Sequence, residues 1–142
     1  MSVLLDADEI RKLETKIAAV ESMTSAEFKI IVCSHAWFGI KNKARKLFKK
    51  YGLDKTPDRN AVLILLVNKD REFLIYGDEG INNKVGEGFW LGIKDAMLEH
   101  FKQGNIAAGL SLGLHLLADI LVEHFPKKDG ANELPNNIIF EK

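Results

Sequence analysis

Five side chains with oxygen ligands, spread over three segments of the sequence, are of the types that bind hard cations. They are Glu27, Asp58, Asn60, Asp78 and Glu79. Carboxylate and amide oxygens favour Ca²⁺ or Mg²⁺ over zinc. The segments are far apart in the chain, so a shared site exists only if the fold brings them together.

Hydrophobic periodicity predicts the elements that would position these residues. Asp6, followed three residues later by Glu9, is a capping-box signal for the first helix. The order of elements is α–β–α–β–β–α–α, which is typical of an α/β fold with a small mixed sheet. The predicted helices cover 6–22, 40–51, 85–101 and 106–122, and the predicted strands cover 27–33, 60–67 and 72–76, with a turn at 68–71.

The predicted topology gathers the five oxygen-bearing residues at one edge of the sheet. The first two strands are joined by a helix and should be parallel, with a right-handed crossover. The next two are joined by a short turn and should be antiparallel, so the third strand ends where the first two begin. This topology is compatible with a site for a hard cation, Ca²⁺ or Mg²⁺. The competing interpretation is that these acids are solvated or cap the helix near residue 86.

Length and composition indicate a globular chain without a strong electrostatic preference. The chain has 142 residues, 46% of them hydrophobic, and its 20 basic residues balance 20 acidic ones. We therefore expect a single domain over 1–126 and a monomer that does not bind nucleic acid. The polar tail over 127–142 is expected either to be mobile or to dock through "NIIF".

Two further features bear on compartment and reactivity. The N-terminus lacks a basic signal-peptide region, and the apolar segment 106–122 contains His115 and Asp119. These features favour a cytoplasmic protein without a transmembrane segment and make 106–122 a core helix. The single cysteine, Cys33, ends a predicted strand and is expected to be an inert core residue.

The sequence resembles the TPM domain family in three segments. They read "TSAEFKIIV", "DRNAVLILLVNKDREFLIYGDEGI" and "FKQGNIAAGLSLGLHLLADIL". The resemblance covers about residues 8–124. Two departures stand out: Ala61 replaces the usual glycine after Asn60, and the glycine turn encloses two residues, Asp78 and Glu79, instead of one.

This resemblance implies a three-layer α/β sandwich, with helices on both faces of the sheet, and it implies calcium binding or acid phosphatase activity. In a phosphatase, Asp58 or Asp78 would serve as ligand or base. Arg59 would pair with phosphate, and Asn60 would hold a ligand carbonyl or a phosphate oxygen. The sequence contains no P-loop and no cysteine phosphatase motif. A surface salt bridge explains the presence of Arg59 as well as phosphate binding does.

The helix predicted over 40–51 suggests a different class of function. It has no acidic residue, and six basic residues lie outside its apolar stripe: Lys41, Lys43, Arg45, Lys46, Lys49 and Lys50. Such a helix is either an ordinary solvated face or the contact surface of a metal-free adaptor for an acidic protein partner.

Overall fold

Two fully buried strands form the centre of a four-stranded sheet. A computed structural model describes residues 5–68, 72–127 and 135–141, so most of the predicted turn at 68–71 lies outside the described residues. The strands lie in the order β3-β2-β1-β4. Their bounds are Glu27–Cys33 for β1, Ala61–Val67 for β2, Glu72–Gly77 for β3 and Ile139–Glu141 for β4.

Strand pairing confirms the mixed sheet. Strand β1 pairs with β2 in parallel, and β2 pairs with β3 antiparallel. Strand β4 was not predicted as a strand. It comes from the C-terminal segment and pairs with β1 in parallel, from Ile31↔Ile139 to Cys33↔Glu141, so the docking alternative for "NIIF" is confirmed.

Among the residues that the structure describes, five α-helices cover the two faces of the sheet and give the predicted three layers. The buried side chains of α1, α4 and α5 share one core with β1 and β2, whereas those of α2 pack on the opposite face. The helices are α1 Ala7–Glu21, α2 Ile40–Lys50, α3 Glu79–Val85, α4 Glu87–Lys102 and α5 Ile106–His124, and a 3₁₀ turn covers Leu53–Lys55.

Helix ends follow the sequence signals only in part. Asp6 and Glu9 form the predicted capping box of α1, with the Glu9 N–H 2.8 Å from Asp6 Oδ1. Asn105 is of a residue type that favours the N-cap and directly precedes α5, but its side chain makes no capping hydrogen bond. The short helix α3 was not predicted, and it replaces the glycine turn expected after β3.

One side of helix α5 packs into the core, and 33% of its most apolar 18-residue window is buried. It is the one helix among the described residues that is long and apolar enough to cross a membrane, with a mean hydropathy of 1.6. Leu110, Leu114, Leu117 and Leu121 are completely buried in the core that α5 shares with α1 and α4. Packing within the domain therefore accounts for the apolar composition of these positions.

Candidate functional site

The strand ends meet as the predicted topology requires. We call the edge where β1 and β2 begin and β3 ends the rim. Glu27 is in register with Ala61, so both parallel strands start there. The Asp78 N–H donates to the Ala61 carbonyl oxygen at 3.0 Å, which fixes the end of β3 beside the start of β2. Glu27, Asn60 and Asp78 therefore belong to the same edge of the sheet.

Arg59 neutralises the two acids that follow β3. Its Nε donates to Asp78 Oδ2 at 2.7 Å and its Nη2 donates to Asp78 Oδ1 at 3.0 Å, while Nη1 lies 3.2 Å from Glu79 Oε1. This bidentate geometry is the strong form of an arginine–carboxylate pair. The hydrogen bonds that Arg59 donates to Asp78 raise the pKa of Arg59 above its usual value. A guanidinium group thus occupies the acidic side of the rim.

Asp78 has a second structural role in capping α3. Its Oδ1 accepts the Glu79 N–H at 2.8 Å, and its side chain is almost completely buried. The predicted alternative, that rim acids cap a helix, therefore holds for Asp78, although the helix begins at residue 79 instead of near 86. Capping and the Arg59 pair together use both carboxylate oxygens.

A close backbone contact locks the turn that carries Asp58 and Arg59. The Gly80 N–H donates to the Arg59 carbonyl oxygen at 2.8 Å, and the Asp58 carbonyl oxygen faces the Gly80 Cα. Arg59 has a φ of 50°, in the left-handed region that non-glycine residues rarely adopt. This turn aims the Arg59 side chain at Asp78.

The Glu27 carboxyl group interacts with Glu21, at the end of α1. Glu21 Oε2 accepts the Phe28 N–H at 2.6 Å, and hydrogen bonding links the two carboxyl groups. Burial, together with the repulsion of Glu27, raises the pKa of Glu21 to about 8, so its carboxyl group is protonated at neutral pH. Sequence reasoning missed Glu21, although it lies four residues after Ile17 on the apolar stripe of α1.

Asn60 is committed to hydrogen bonds within the protein. Its side-chain amide donates to Ser25 Oγ at 3.1 Å, and its backbone N–H donates to Thr56 Oγ1 at 3.1 Å. The side chain is buried. These contacts hold the start of β2 against the loop that precedes β1, which is a structural role.

Asp78 and Glu27 at the rim are engaged by other side chains of the protein. Within residues 5–68, 72–127 and 135–141, no group of three or more acidic, histidine or cysteine side chains is placed to hold a metal ion. The Arg59 guanidinium forms an ion pair with the Asp78 carboxylate, and the Glu27 carboxyl group interacts with that of Glu21. A cation at the rim would therefore have to displace the Arg59 guanidinium first.

A second candidate surface lies where α2 begins, after the end of β1 that is remote from the rim. We call it the aromatic–basic surface. Trp37 and Phe38 are 74% and 77% exposed, and the Lys46 Nζ lies 5.5 Å from the centre of the Phe38 ring. A groove of about 160 Å³ runs between them, lined by Trp37, Phe38, Gly39, Asn42, Lys43 and Lys46. Exposed aromatic rings beside lysines combine an apolar contact with a positive charge.

Cys33 has the environment of an inert thiol. It is buried against α2, and this burial raises the pKa of the thiol. A raised pKa lowers the fraction of reactive thiolate. The neighbouring His35 ring packs at 4.5 Å from Trp37, on the aromatic–basic surface.

Comparison with known proteins assigns a family to this architecture. A model of the TPM domain matches residues 2–120 of the chain. No curated protein matches the sequence significantly.

Solved structures share both the fold and, in one case, a substantial part of the sequence. The BA42 protein of the psychrophilic bacterium Bizionia argentinensis is similar to this chain with 34% identity and a TM-score of 0.91, over 99% of this chain and 97% of that one. The N-terminal domain of a P. gingivalis protein has 24% identity and a TM-score of 0.72, over 88% and 83% of the two chains. The N-terminal domain of the Corynebacterium glutamicum protein cg2496 shares the fold alone, with 11% identity and a TM-score of 0.63, over 91% and 78%.

Proposed function

This chain belongs to the TPM domain family, and we propose that it acts as a protein-interaction module that binds an acidic segment of another protein through the aromatic–basic surface. The observation that carries this proposal is the exposure of Trp37 and Phe38, at 74% and 77%, beside the lysines of α2. Large exposed apolar side chains grouped with polar ones are typical of interaction sites.

The size of the groove favours a protein partner over a small-molecule ligand. Its volume of about 160 Å³ is below the range of roughly 300–1,000 Å³ that pockets for small molecules usually have. A groove of this size accommodates one apolar side chain of a partner. Trp37 and Phe38 would then provide the aromatic anchors that dominate many protein interfaces.

The charge of α2 determines the chemistry of the partner. The helix contains six basic and no acidic residues. Lys43 and Lys46 line the groove, so a carboxylate next to the bound apolar side chain would meet them. Charge complementarity of this kind accelerates association and excludes basic partners.

A labelled peptide of alternating leucine and glutamate residues tests the proposal by fluorescence anisotropy. We expect the intact chain to bind it, and the double variant Lys43→Glu, Lys46→Glu to bind it at least about tenfold more weakly. Phe38→Ser should also weaken binding, because it removes an anchor. The affinity should fall as salt is added.

The matched control for this experiment is Lys94→Glu, an exposed charge reversal on α4. It should leave peptide binding unchanged. Equal loss with Lys94→Glu would mean that net charge, and not the groove, determines binding. Binding to phosphatidylserine vesicles without binding to the peptide would contradict a protein partner in favour of a membrane surface.

Divalent-cation binding at the rim is the second candidate, favoured by the convergence of oxygen-bearing residues there. Glu27 and Asp78 lie at the same edge of the sheet, with Asn60 between them in the sheet order. Ca²⁺, or Mg²⁺ as the alternative, would require Arg59 to leave Asp78. An acid phosphatase that uses Asp58, Arg59 or Asn60 depends on the same cation and shares its test.

Arg59→Gln should reveal a cation site if the rim contains one. Without the guanidinium, Asp78 and Glu79 lose their neutralising partner, so added Ca²⁺ should raise the melting temperature of the variant more than that of the intact chain. Differential scanning fluorimetry with millimolar CaCl₂ or MgCl₂ measures this. Arg11→Gln on α1 is the control, since its partner Asp8 is exposed. Unchanged melting of both the intact chain and Arg59→Gln would contradict cation binding at the rim.

A further inference from the structure

The C-terminal segment 135–141 lies along the edge of β1 like a bound peptide. Its last three residues form β4 and pair with Ile31, Val32 and Cys33. Strand β4 is the outermost strand on that side of the sheet. A peptide that adds a strand to a sheet edge makes the same main-chain hydrogen bonds, which depend little on its sequence.

Lys29 anchors the first half of this segment through its backbone. Its Nζ donates to the carbonyl oxygens of Pro135 at 2.7 Å and Asn137 at 3.1 Å, and it lies 3.4 Å from Asn137 Oδ1. The Lys29 side chain is only 3% exposed. A buried ammonium group is costly unless hydrogen bonds satisfy it. Since backbone carbonyls satisfy it here, other extended peptides can provide the same acceptors.

Ile138 is the apolar anchor of the segment. Its side chain is 6% exposed and belongs to the core that contains α1 and α5. Its backbone N–H donates to Glu14 Oε2 at 2.8 Å, from α1. One buried side chain and one fixed backbone donor therefore define the position that a bound peptide must match.

A salt bridge between Lys50 and Glu141 holds the end of the segment. Both carboxylate oxygens of Glu141 lie 2.9 Å from the Lys50 Nζ, at the end of α2. The Tyr51 side chain also hydrogen-bonds to this carboxylate, and the hydrogen bond from Lys50 lowers the pKa of Glu141. The Glu141 carboxylate thus lies three positions after the buried apolar anchor, Ile138.

We infer that the edge of β1 is a binding site for an extended peptide that carries a buried apolar residue followed, three positions later, by a carboxylate, and that the chain's own C-terminal segment occupies this site in cis. Lys29 and Glu14 bind the peptide backbone, and Lys50 binds the carboxylate. The tethered segment competes with any incoming peptide because of its high effective concentration. This site is separate from the groove of the aromatic–basic surface and does not depend on the function proposed for it.

A reciprocal charge exchange in the full-length chain tests this site. The probes are two labelled peptides with the sequence of residues 135–142, one native and one with Glu141→Lys. In the Glu141→Lys variant of the chain, residue 141 and Lys50 repel each other, so the variant's own C-terminal segment should leave the site. This variant should then bind the native peptide at least about tenfold more tightly than the intact chain does. The Lys50→Glu variant of the chain should bind only the peptide that carries Glu141→Lys, because only that peptide offers a positive charge to the new glutamate.

Thermal melting confirms that each variant is folded, and Lys49→Glu is the matched control on the same helix. We expect this control to bind both peptides as weakly as the intact chain. A mixed dimer of the Glu141→Lys and Lys50→Glu chains would support the site, with a second copy as the source of the strand. Two results would overturn the inference: folded variants that bind neither peptide, or variants that bind both peptides equally.

Discussion

Gly80→Ala is expected to lower the free energy of unfolding by about 3 kcal/mol and the melting temperature by roughly 10 °C. A methyl group on the Gly80 Cα would overlap the Asp58 carbonyl oxygen and lie 2.6 Å from that of Arg59. Both obstacles are backbone atoms, which cannot rotate away as a side chain does. The turn would have to open, and with it the Gly80–Arg59 hydrogen bond of 2.8 Å.

Urea denaturation measures this loss, with Gly92→Ala as the matched control. Nothing lies within 4 Å of the position that a Gly92 Cβ would take. Alanine is also the better helix former, so Gly92→Ala in α4 should raise stability by up to about 1 kcal/mol. Equal stability of the Gly80→Ala and Gly92→Ala variants would mean that the rim turn is not closed as the structure describes.

The second large effect is a fall in stability as the pH rises from about 4.5 to 8. The Glu21 pKa is raised from 4.5 to about 8 in the folded chain, chiefly by burial. Between these values the folded chain retains a proton that the unfolded chain releases, so the free energy of unfolding decreases with pH. At about 1.4 kcal/mol per unit of pKa shift, the total is of the order of 3–5 kcal/mol. Above pH 8 this contribution levels off.

Glu21→Gln should flatten this pH dependence. A glutamine amide oxygen can accept the Phe28 N–H as the protonated carboxyl does, but it does not titrate. The groups that face Glu21, namely Glu27 and Lys29, stay in place. Chemical denaturation at a series of pH values measures the slope, and Glu99→Gln, an exposed substitution on α4, should retain it. An unchanged slope in Glu21→Gln would assign the titration to another group.

The centre of the sheet was predictable because its sequence signals are local and strong. The strand predicted over 27–33 matches β1, and the following apolar run matches β2 within one residue. The placement of Glu27 and Asp78 at the same edge of the sheet followed from two rules of chain connection, the crossover and the short reversal. These rules position backbone segments, and they leave open which partner each side chain selects.

The parts that sequence reasoning missed depend on tertiary contacts. Helix α3 has a short polar sequence, and it is stabilised by the Asp78 cap and the burial of Ile81. Strand β4 has only three residues, which become a strand because β1 is available to pair with them. The choice of Arg59 as the partner of Asp78 follows from the left-handed turn at Arg59, for which the sequence has no specific signal.

The distance in sequence between β1 and β4 has a consequence for folding in the cell. Ile31 leaves the ribosome well before its neighbour Ile139 does. Until β4 has been translated, a nascent chain presents an open strand edge at β1, and open edges are where chains pair wrongly. A chain that stalls or terminates before β4 is therefore expected to aggregate more readily than one that contains it.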